Sequence, residues 1–515
     1  MSRYILSFCT LLLLTLTLAA QSDNTTFTII HSSNVVGANE ANADGIGGTA
    51  RAATIINQAR ADNPNLMVFD AGDRFLNPIN FNLNAEIMNE LGYNAMTLGN
   101  HEFNGGNVGL LNFLEAADFP FVAANIDFSA SPLLADVISP YAVIDINGQS
   151  IGVIGLANEE TPVLSSPGPD IVFLDDEALV TQQAVDELTA QGINIIVLLA
   201  HREANENAVL ASTVSGVDVI VGGSDNVLMS NTDDNAAFPY PIETQSLSGE
   251  PVVIVQTPED NLYLGQLTVT FSADGVLTDW SGDSILMDET IEADPEFDAF
   301  ITELIEDQAT DSIVIGESGV VLVGGDPCRE EECTMGNLVT DIIREFSGAD
   351  VAIYNSGGIR ANIGEGDVSD TQLAQVFPFP NTVATLELRG SDLVAAIEHG
   401  VSLGGDSSVR GSGRFLQVSG MRYTWSPVRP VGNRVDSVEV LGADGAYRAI
   451  DENAIYSVVT NDFIRQGGDD FSVLDSNAID PFDFGPVVRD IVTEYIGTNS
   501  PVMPEIEGRI TRLDS

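Results

Sequence analysis

Lysine is absent from this chain, and histidine, cysteine and tryptophan number only four, three and two among 515 residues. All nineteen basic residues are arginine, against seventy-six acidic residues, which gives a formal net charge of −57. A field of that sign repels a phosphate backbone, so nucleic acid is not expected as a partner. Abundant hydrated carboxylates favour solubility in salty water, and we hypothesise that this acidic protein works in a saline environment.

Long apolar runs are also missing, because no stretch reaches the roughly 18 apolar residues that a membrane-spanning helix needs. The first twenty residues carry one arginine, an apolar and hydroxyl-rich run and a small-residue end, which is the layout of a secretory signal. The segment 1–20 therefore predicts export to a periplasmic or extracellular location, with cleavage near Ala20 and no membrane span afterwards. The alternative is that this segment is retained as an anchor.

Cysteine is scarce enough to be interpreted residue by residue. Cleavage removes Cys9 and leaves Cys328 and Cys333, an even pair in an exported protein, which predicts a disulfide. A loop this short restricts the unfolded chain by only roughly 2 kcal/mol, so its expected role is to fix the local shape around Arg329. Two free thiols are the alternative.

The rest of the chain, 44% hydrophobic and without repeats, predicts two α/β domains. We place the first at residues 26–286, an acidic and exposed connecting helix at 287–311, and the second domain at 312–515. In the first domain, apolar runs of strand length alternate with helical patterns such as 50–60 and 180–191, as in a layered sheet. The candidate strands are 27–30, 66–69, 95–98, 151–156, 195–199 and 217–221.

Polar side chains follow three of these strands at the point where each strand ends. Asp70 begins the segment Asp-Ala-Gly-Asp, Asn100 and His101 lie in Gly-Asn-His-Glu, and His201 follows Ala200. Ligands gather at the carboxyl ends of strands in α/β sheets, and these residue types can bind a divalent metal. For Asp-Ala-Gly-Asp or Gly-Asn-His-Glu alone, a helix cap or a turn is the favoured interpretation, whereas the order and spacing of the segments together favour a metal site.

With the second-domain segments Asn-Ser-Gly-Gly-Ile-Arg at 355–360 and Gly-Gly-Asp-Asp-Phe at 467–471, the chain resembles the 5'-nucleotidase family, which includes periplasmic UDP-sugar hydrolases. The resemblance covers nearly the whole mature chain. It implies an N-terminal calcineurin-like metallophosphoesterase domain with α/β/β/α layers and two metals, followed by a family-specific α/β domain that binds the nucleoside. Members hydrolyse the phosphate ester of nucleoside 5'-monophosphates or related nucleotides.

Matched to the family motifs, the second domain supplies the substrate-binding residues. The resemblance implies arginine contacts with phosphate or ribose and two aromatic rings that sandwich the base, which any nucleobase tolerates. An ordinary surface arginine or a core phenylalanine is the alternative for each of these positions. The residues implied are Arg329, Asn355, Gly357, Gly358, Arg360, Phe379, Phe471 and Asp475.

The first domain departs from the family pattern. Where the family carries Asn-Asp-x-His-Gly after the first strand, this chain has Ser33-Asn34-Val35-Val36-Gly37, so a carboxylate has become an amide and an imidazole an isopropyl group. Where the family carries a histidine-bearing segment after the sixth strand, Ser224 and Asn226 stand at the ligand positions. By the resemblance, His31 and His399 are not ligands, which leaves two imidazoles for the site.

A count of ligands predicts one weakened metal site and one empty site. Asp70, Asn100 and His201 remain for one divalent ion (Mg, Mn, Zn or Co), whereas the other site keeps only the bridging Asp70. Loss of one ion removes several kcal/mol of transition-state stabilisation from a two-metal reaction. His101 matches the family's acid or transition-state stabiliser, and Asp225 is the one nearby carboxylate that could restore coordination.

Three functions therefore remain open. The first is an exported protein that binds a nucleoside 5'-phosphate or related nucleotide and hydrolyses it weakly or not at all. The second is an active phosphohydrolase that uses one metal or an atypical ligand set. The third is a non-catalytic surface or structural protein in which the nucleoside-binding motifs are relics.

Overall fold

The computed structural model describes residues 24–75, 81–135, 137–165, 167–168, 170–310, 312–404 and 412–513. The segment 1–20 and Cys9 lie outside these residues, so export remains a prediction. No helix within the described ranges is both long enough and apolar enough to cross a membrane.

The first half of the chain alternates strands and helices, as its sequence pattern predicts. Its strands are β1 (Thr25–Ser32), β2 (Leu66–Asp70), β3 (Ala95–Thr97), β4 (Phe121–Val122), β5 (Ile126–Asp127), β6 (Tyr141–Ile146), β7 (Gln149–Leu156), β8 (Val172–Phe173), β9 (Ile196–Ala200), β10 (Val219–Gly222), β11 (Ile242–Gln245), β12 (Pro251–Val255), β13 (Tyr263–Phe271) and β14 (Leu277–Leu286). Its helices are α1 (Thr49–Asp62), α2 (Phe81–Leu91), α3 (Gly106–Ala116), α4 (Thr161–Leu164), α5 (Glu177–Ala190), α6 (Ala204–Thr213) and α7 (Pro295–Thr310).

Two six-stranded sheets, ordered β14-β13-β1-β2-β3-β4 and β11-β12-β10-β9-β7-β6, form the middle of this half. Alternate residues of their strands enter different cores, as the two-residue period of a strand requires. Phe69 and Leu199 belong to the core that joins the two sheets, whereas Val68 packs with α1 to α3 and Leu198 packs with α5 and α6. The layers are therefore α/β/β/α, which confirms the expected fold class.

Parallel pairing brings the polar strand ends together. β1 pairs with β2 in parallel, with Ser32 opposite Asp70, and β2 pairs in the same sense with β3. In the second sheet β9 is parallel to both β7 and β10, so Ala200, which precedes His201, lies at the same edge as Leu156 and Gly222. All these strands deliver their following loops to one edge of the layered domain.

The linking helix differs from the exposed helix that the sequence suggests. α7 starts only at Pro295, a residue suited to the first turn of a helix because its missing N–H has no partner there. Phe297 and Ile301 are nearly fully buried in the first-domain core beside α1 and α2. Burial of this apolar stripe attaches the linker to the first domain.

The second half also mixes strands and helices. Its strands are β15 (Val314–Ser318), β16 (Val351–Asn355), β17 (Gly366–Ser369), β18 (Val383–Arg389), β19 (Leu416–Ser419), β20 (Met421–Trp425), β21 (Val435–Leu441), β22 (Tyr447–Ala449), β23 (Ile455–Asn461), β24 (Ile479–Phe482) and β25 (Ile510–Arg512). Its helices are α8 (Thr334–Ser347), α9 (Asp370–Val376), α10 (Gly390–Gly400), α11 (Asp462–Arg465), α12 (Ser472–Ser476) and α13 (Val488–Asn499).

A five-stranded sheet, β19-β16-β23-β18-β24, is the centre of this half and presents two neighbouring strand ends. β16 and β23 are parallel, so Asn355 and Asn461 end their strands side by side, and Asn461 donates a hydrogen bond to Asn355 at 2.8 Å. A disulfide joins Cys328 to Cys333, with 5.2 Å between their Cα atoms, immediately before α8.

The charge excess predicts that salt stabilises this fold. Seventy-six carboxylates repel one another across the surface, and screening shortens the reach of that repulsion to about 3 Å at 1 M salt. A relief of about 2 kcal/mol would raise Tm by roughly 5 °C between 0.1 and 1 M NaCl. Calorimetric melting in NaCl and KCl at matched ionic strength measures this, and a Tm that falls steadily with either salt contradicts it.

Candidate functional site

A cavity of about 580 Å³ lies where the two halves meet, and both halves line it. The first half contributes Val36, Asn100, His101, Leu164, Ser165, Asn226, Glu259 and Asp260. The second half contributes Asp326, Arg329, Asn355, Gly357, Gly358, Arg360, Phe379, Asn381, Gly413, Phe463 and Asp469. The cavity thus has one wall derived from the candidate metal site and one derived from the candidate nucleoside site.

The carboxylate that faces the histidines is Asp73. Its Oδ2 lies 3.3 Å from Nε2 of His201 and 3.9 Å from Nε2 of His101, and its Oδ1 accepts a hydrogen bond from the backbone N–H of His101 at 2.8 Å. Burial alone raises the pKa of Asp73, but the two imidazoles outweigh it and hold that pKa well below its usual range. Asp73 is therefore an anion beside both histidines.

Asp70 does not occupy the position expected from the sequence. As the last residue of β2 it points into the domain, where it accepts hydrogen bonds from Oγ of Ser32 at 2.7 Å and from the backbone N–H of Gly72 at 2.9 Å. Nη1 of Arg74 lies 3.8 Å away, and the Asp70 side chain is fully buried. The Asp70 carboxylate is thus committed to internal partners, and the carboxylate beside the histidines is that of Asp73, three residues later.

Glu102 keeps the Asp73 loop against the loop that carries Asn100 and His101. Its fully buried carboxylate accepts hydrogen bonds from the backbone N–H groups of Asp73, Arg74 and Gly99, at 2.9, 2.8 and 2.7 Å. Burial and the charge of Asp73 raise the pKa of Glu102 to about 8. Because one side chain holds three amides from two loops, the relative position of the loops is fixed.

Two glycines permit this close approach. A Cβ on Gly99 would lie 2.2 Å from Oδ1 of Asp73, which no packing could absorb. Gly72 has a φ of +98°, and a Cβ there would lie 2.5 Å from the backbone nitrogen of Gly99. Both glycines of the strand-exit segments are therefore required by contact between the loops.

His201 is oriented as a metal ligand would be. Its Nδ1 contacts the carbonyl oxygen of Ala71 at 2.7 Å, which directs Nε2 toward Asp73. The side chain is fully buried, and Nε2 has no hydrogen-bond partner among the described residues. Burial opposes a charge on the ring, yet Asp73 outweighs it and raises the pKa of His201 to about 9.

His101 points into the cavity as a hydrogen-bond donor. Nδ2 of Asn104 donates to its Nδ1 at 2.9 Å, and Oδ1 of Asn104 accepts from Oγ of Ser165, also at 2.9 Å. Burial lowers the pKa of His101 to about 4, with the charge of Arg360 acting in the same direction and that of Asp73 opposing it. With Nδ1 as the acceptor from Asn104, the N–H of the neutral ring is at Nε2, which lies 3.9 Å from Oδ2 of Asp73.

Three of the four side chains that depart from the family pattern form hydrogen bonds with neighbouring residues, and the fourth is apolar. Oδ1 of Asn34 accepts from the backbone N–H of Ser224 at 3.4 Å, and Oγ of Ser224 accepts from Asn158 at 3.0 Å. Asn226 exchanges two hydrogen bonds with Glu259, at 2.7 and 3.0 Å. Val36 supplies only an apolar surface to the cavity.

The backbone at three of these positions is nevertheless in a conformation that costs energy. Asn34, Val36 and Ser224 have φ values of 51°, 49° and 80°. Valine is especially unfavourable there because its branched side chain crowds the backbone, by roughly 1–3 kcal/mol. The loops therefore retain a special geometry although their side chains offer no charge.

One half of a dimetal site fits these residues and the other does not. Asp73, Asn100 and His201 offer a carboxylate, an amide oxygen and an imidazole nitrogen, a donor set suited to one divalent ion. In the other half, Asn34, Val36 and Asn226 are all uncharged, and the carboxylate of Glu259, which lines the cavity there, accepts a hydrogen bond from Asn226. Across the described parts of the chain, no three histidine, cysteine or acidic side chains are arranged to hold a metal.

The opposite wall presents two guanidinium groups beside a carboxylate and glycines. Arg329 and Arg360 both line the cavity, and desolvation together with the charge of Arg329 lowers the pKa of Arg360 to about 10. Asn355 donates to Oδ2 of Asp469 at 2.7 Å, and Arg360 donates to the carbonyl oxygen of Gly357 at 3.3 Å. Adjacent guanidinium groups form a site for an anion such as phosphate.

The aromatic residues differ from the expected pair. Phe379 lines the cavity, and the guanidinium carbon of Arg360 lies 5.8 Å from its ring centroid. Phe471 is fully buried in the second-domain core, edge-on to His399 with 4.7 Å between centroids, and does not line the cavity. The ring that lines the cavity with Phe379 is Phe463.

Asp475 also lies outside the cavity, exposed and 3.7 Å from Nη1 of Arg465. Asp469, at a left-handed φ of 53°, is a carboxylate of the same segment that does line the cavity. The sequence motifs did not identify Phe463 and Asp469. Both follow the end of β23, and a position after a strand end is the signal that identified the first-domain residues. Phe471, the last residue of the Gly-Gly-Asp-Asp-Phe segment, packs in the core of the second domain.

The chain matches two families in the order that its domains follow. Residues 27–223 match calcineurin-like phosphoesterases, and residues 314–476 match the 5'-nucleotidase C-terminal domain. The chain is 36% identical to a 5'-nucleotidase of Diplobatis ommata over 95% of its own length and 90% of that protein. It is likewise 36% identical to a snake venom 5'-nucleotidase of Naja atra, over 91% and 93% of the two chains.

A solved structure with the same arrangement is that of a 5'-nucleotidase precursor from Thermus thermophilus. It shares 36% identity and a TM-score of 0.73, covering 95% of this chain and all of that one. The fold and the cavity define a two-domain calcineurin-like phosphoesterase. The chain belongs to the 5'-nucleotidase family, as its motifs suggested, and calcineurin-like phosphoesterases use divalent metals.

Separate substitution of Phe471 and Phe463 by alanine distinguishes a role in core packing from a role in nucleotide binding. Phe471→Ala should lower the free energy of unfolding by about 3–5 kcal/mol because it empties part of the core. Phe463→Ala should lower it far less and weaken nucleotide binding by about 1–3 kcal/mol through lost stacking. Urea unfolding and titration calorimetry with AMP measure both quantities. Weaker AMP binding in Phe471→Ala together with a large loss of stability in Phe463→Ala would contradict the observed geometry.

The two aspartates can be separated in the same way. Asp73→Asn should abolish detectable Mn²⁺ binding, because it removes the carboxylate that lies beside His201 and His101. Asp70→Asn should lower the free energy of unfolding by about 3–5 kcal/mol because it breaks a buried ion pair with Arg74. Calorimetric titration with Mn²⁺ and thermal melting report the two effects. Retained Mn²⁺ affinity in Asp73→Asn would show that the ion is bound elsewhere.

Proposed function

We propose that this 5'-nucleotidase-family protein is exported and binds a nucleoside 5'-phosphate or related nucleotide, with phosphoester hydrolysis weakened or lost. The observation that carries the proposal is the contrast between the two walls of one cavity. Arg329, Arg360, Phe379, Phe463 and Asp469 line one wall. On the other wall, half of the dimetal ligand set is occupied by neutral or apolar side chains.

Each part of a nucleotide has a chemically suitable counterpart in the cavity. The paired guanidiniums suit the phosphate, because arginine forms forked, charge-assisted hydrogen bonds with its oxygens. Phe379 and Phe463 suit the base, whose π faces stack on aromatic rings irrespective of base identity. Asp469, held by Asn355, is an acceptor suited to ribose hydroxyls.

The first-domain wall retains groups that act on a phosphate ester. His101 would donate its Nε2 proton in a hydrogen bond to a phosphoryl or leaving-group oxygen, and Asn104 holds its ring in that orientation. Asp73, Asn100 and His201 would hold one divalent ion, which supplies Lewis-acid polarisation and lowers the pKa of water. Glu102 keeps these groups together by fixing both loops.

An active single-metal phosphohydrolase is the second candidate, and the orientation of His201 toward Asp73 favours it. The two candidates differ in turnover. Phosphate release from AMP with Mg²⁺, Mn²⁺, Co²⁺ or Zn²⁺, measured beside AMP binding by calorimetry, distinguishes them. Binding without turnover supports the first candidate, and metal-dependent turnover supports the second. Neither binding nor turnover would refute both and favour a surface or structural role.

Restoration of the missing ligands tests the metal part of the proposal. Asn34→Asp, Val36→His, Ser224→His and Asn226→His together should raise phosphate release by orders of magnitude, because they return charge and imidazoles to loops that keep their special φ angles. The same four changes with Asp73→Asn form the matched control and should show no gain. If the fourfold variant is folded but no faster than the parent, the ligand assignment is wrong.

Export rests on the residues 1–20, whose charge, apolar run and small-residue end suit a secretory signal. N-terminal sequencing of the protein recovered from its native host should begin shortly after Ala20. An N-terminus at Met1 would contradict cleavage.

A further inference from the structure

The loop 328–333 carries Arg329, which lines the cavity. A disulfide joins its two ends, and α8 begins directly after it. A disulfide closes such a loop but does not attach it to the sheet behind it. The position of the Arg329 guanidinium relative to the rest of the cavity wall therefore depends on further contacts of the loop.

Gln417 makes such contacts from β19, in addition to the hydrogen bonds that Glu332 of the loop accepts from Asn337 and from the backbone N–H of Glu507. Its amide nitrogen donates hydrogen bonds to the carbonyl oxygens of Cys328 and Glu331, both at 2.7 Å, so the two accepting groups flank Arg329 in sequence. Its Oε1 accepts from the backbone N–H of Cys333 at 3.2 Å. Three of the four hydrogen bonds that one glutamine amide can make are thus given to a single six-residue loop.

The surroundings leave Gln417 little freedom. Its side chain is fully buried, and a Cβ on Gly336, in the first turn of α8, would lie 2.5 Å from its Cγ and Oε1. Gln417 is opposite Tyr354 in the antiparallel pair of β19 and β16, and the next pair joins Leu416 to Asn355. The glutamine therefore ties the Arg329 loop to the strand that leads into Asn355, Gly357 and Arg360.

We propose that Gln417 is the positioning residue for Arg329, and that the affinity of the cavity for a nucleotide depends on it even when the disulfide is intact. The inference rests on the proposed function, because it assumes that Arg329 contacts the nucleotide. Its physical basis is preorganisation. An arginine fixed before binding gives up less conformational entropy when it meets its anion than one on a loop free to move.

A double-mutant cycle tests this dependence. Gln417→Met keeps the length of the side chain and removes all three hydrogen bonds, Arg329→Ala removes the guanidinium, and a third protein carries both changes. Ser419→Ala is the matched control. Ser419 is buried on the same face of β19, and its Oγ donates to Asp341 at 2.6 Å without touching the loop.

The affinities for AMP and adenosine, measured by calorimetry on the disulfide-bonded full-length protein, are the readouts. Gln417→Met should weaken AMP binding by about tenfold. The ratio of the AMP affinity to the adenosine affinity should change as it does in Arg329→Ala. The double variant should bind AMP within about twofold of Arg329→Ala alone, because Gln417 acts through Arg329. Ser419→Ala should stay within about twofold of the parent.

Additive losses in the double variant would overturn the inference, as would unchanged AMP affinity in Gln417→Met. If Gln417→Met does not fold, Gln417→Glu serves as the second variant. It keeps the acceptor for Cys333, lacks both N–H donors, and should show the same order of affinities. Hydrogen exchange of peptides spanning 326–333 needs no ligand, and exchange should be faster in either Gln417 variant but not in Ser419→Ala.

The exchange measurement separates the two hypotheses. A parent protein that binds no AMP would refute the proposed function. Faster hydrogen exchange in the Gln417 variants would still show that Gln417 stabilises the loop 328–333. Unchanged exchange around Arg329, together with normal AMP binding by the parent, would refute the inference and leave the proposed function standing.

Discussion

The carboxylate of Glu102 is the constraint on which the first-domain wall depends. It binds three backbone amides from two loops and so fixes Asp73 against His201 and His101. A buried acid with three donors is costly to displace, since each abandoned donor would lose its partner away from water. Backbone hydrogen bonds from Asn34, Val36 and Gly37 to the carbonyl oxygens of Gly72, Asp73 and Arg74 attach the uncharged loop after β1 to the loop that Glu102 holds.

The second-domain wall is organised on a different principle. Parallel β16 and β23 end side by side, and the polar residues beyond them form a short chain from Asn461 through Asn355 to Asp469. Arg329 reaches the same cavity from a loop attached to the sheet by Gln417. The wall is thus preorganised by buried amides, a type of support that does not depend on metal. Loss of ligands in one domain therefore leaves the other domain's site intact.

Much of the fold could be predicted from sequence because strand period and strand-exit chemistry are local signals. The same rule found Asn100, His101 and His201. It selected Asp70, whereas the carboxylate beside His101 and His201 is Asp73, because the side-chain directions depend on the left-handed turn at Gly72 and Asp73. Likewise, composition cannot distinguish a core phenylalanine from a cavity phenylalanine eight residues away. Gln417 carries no local signal, since its partners lie far from it along the chain.

Metal content tests the central claim most directly. Elemental analysis of the purified full-length protein, after equilibration with Mn²⁺ and with Zn²⁺ and removal of unbound ions, should find at most one ion per chain. The ion should be lost from Asp73→Asn. Two stoichiometric ions together with rapid release of phosphate from AMP would contradict the account, because they would show that the neutral residues opposite Asp73 still complete a dimetal centre.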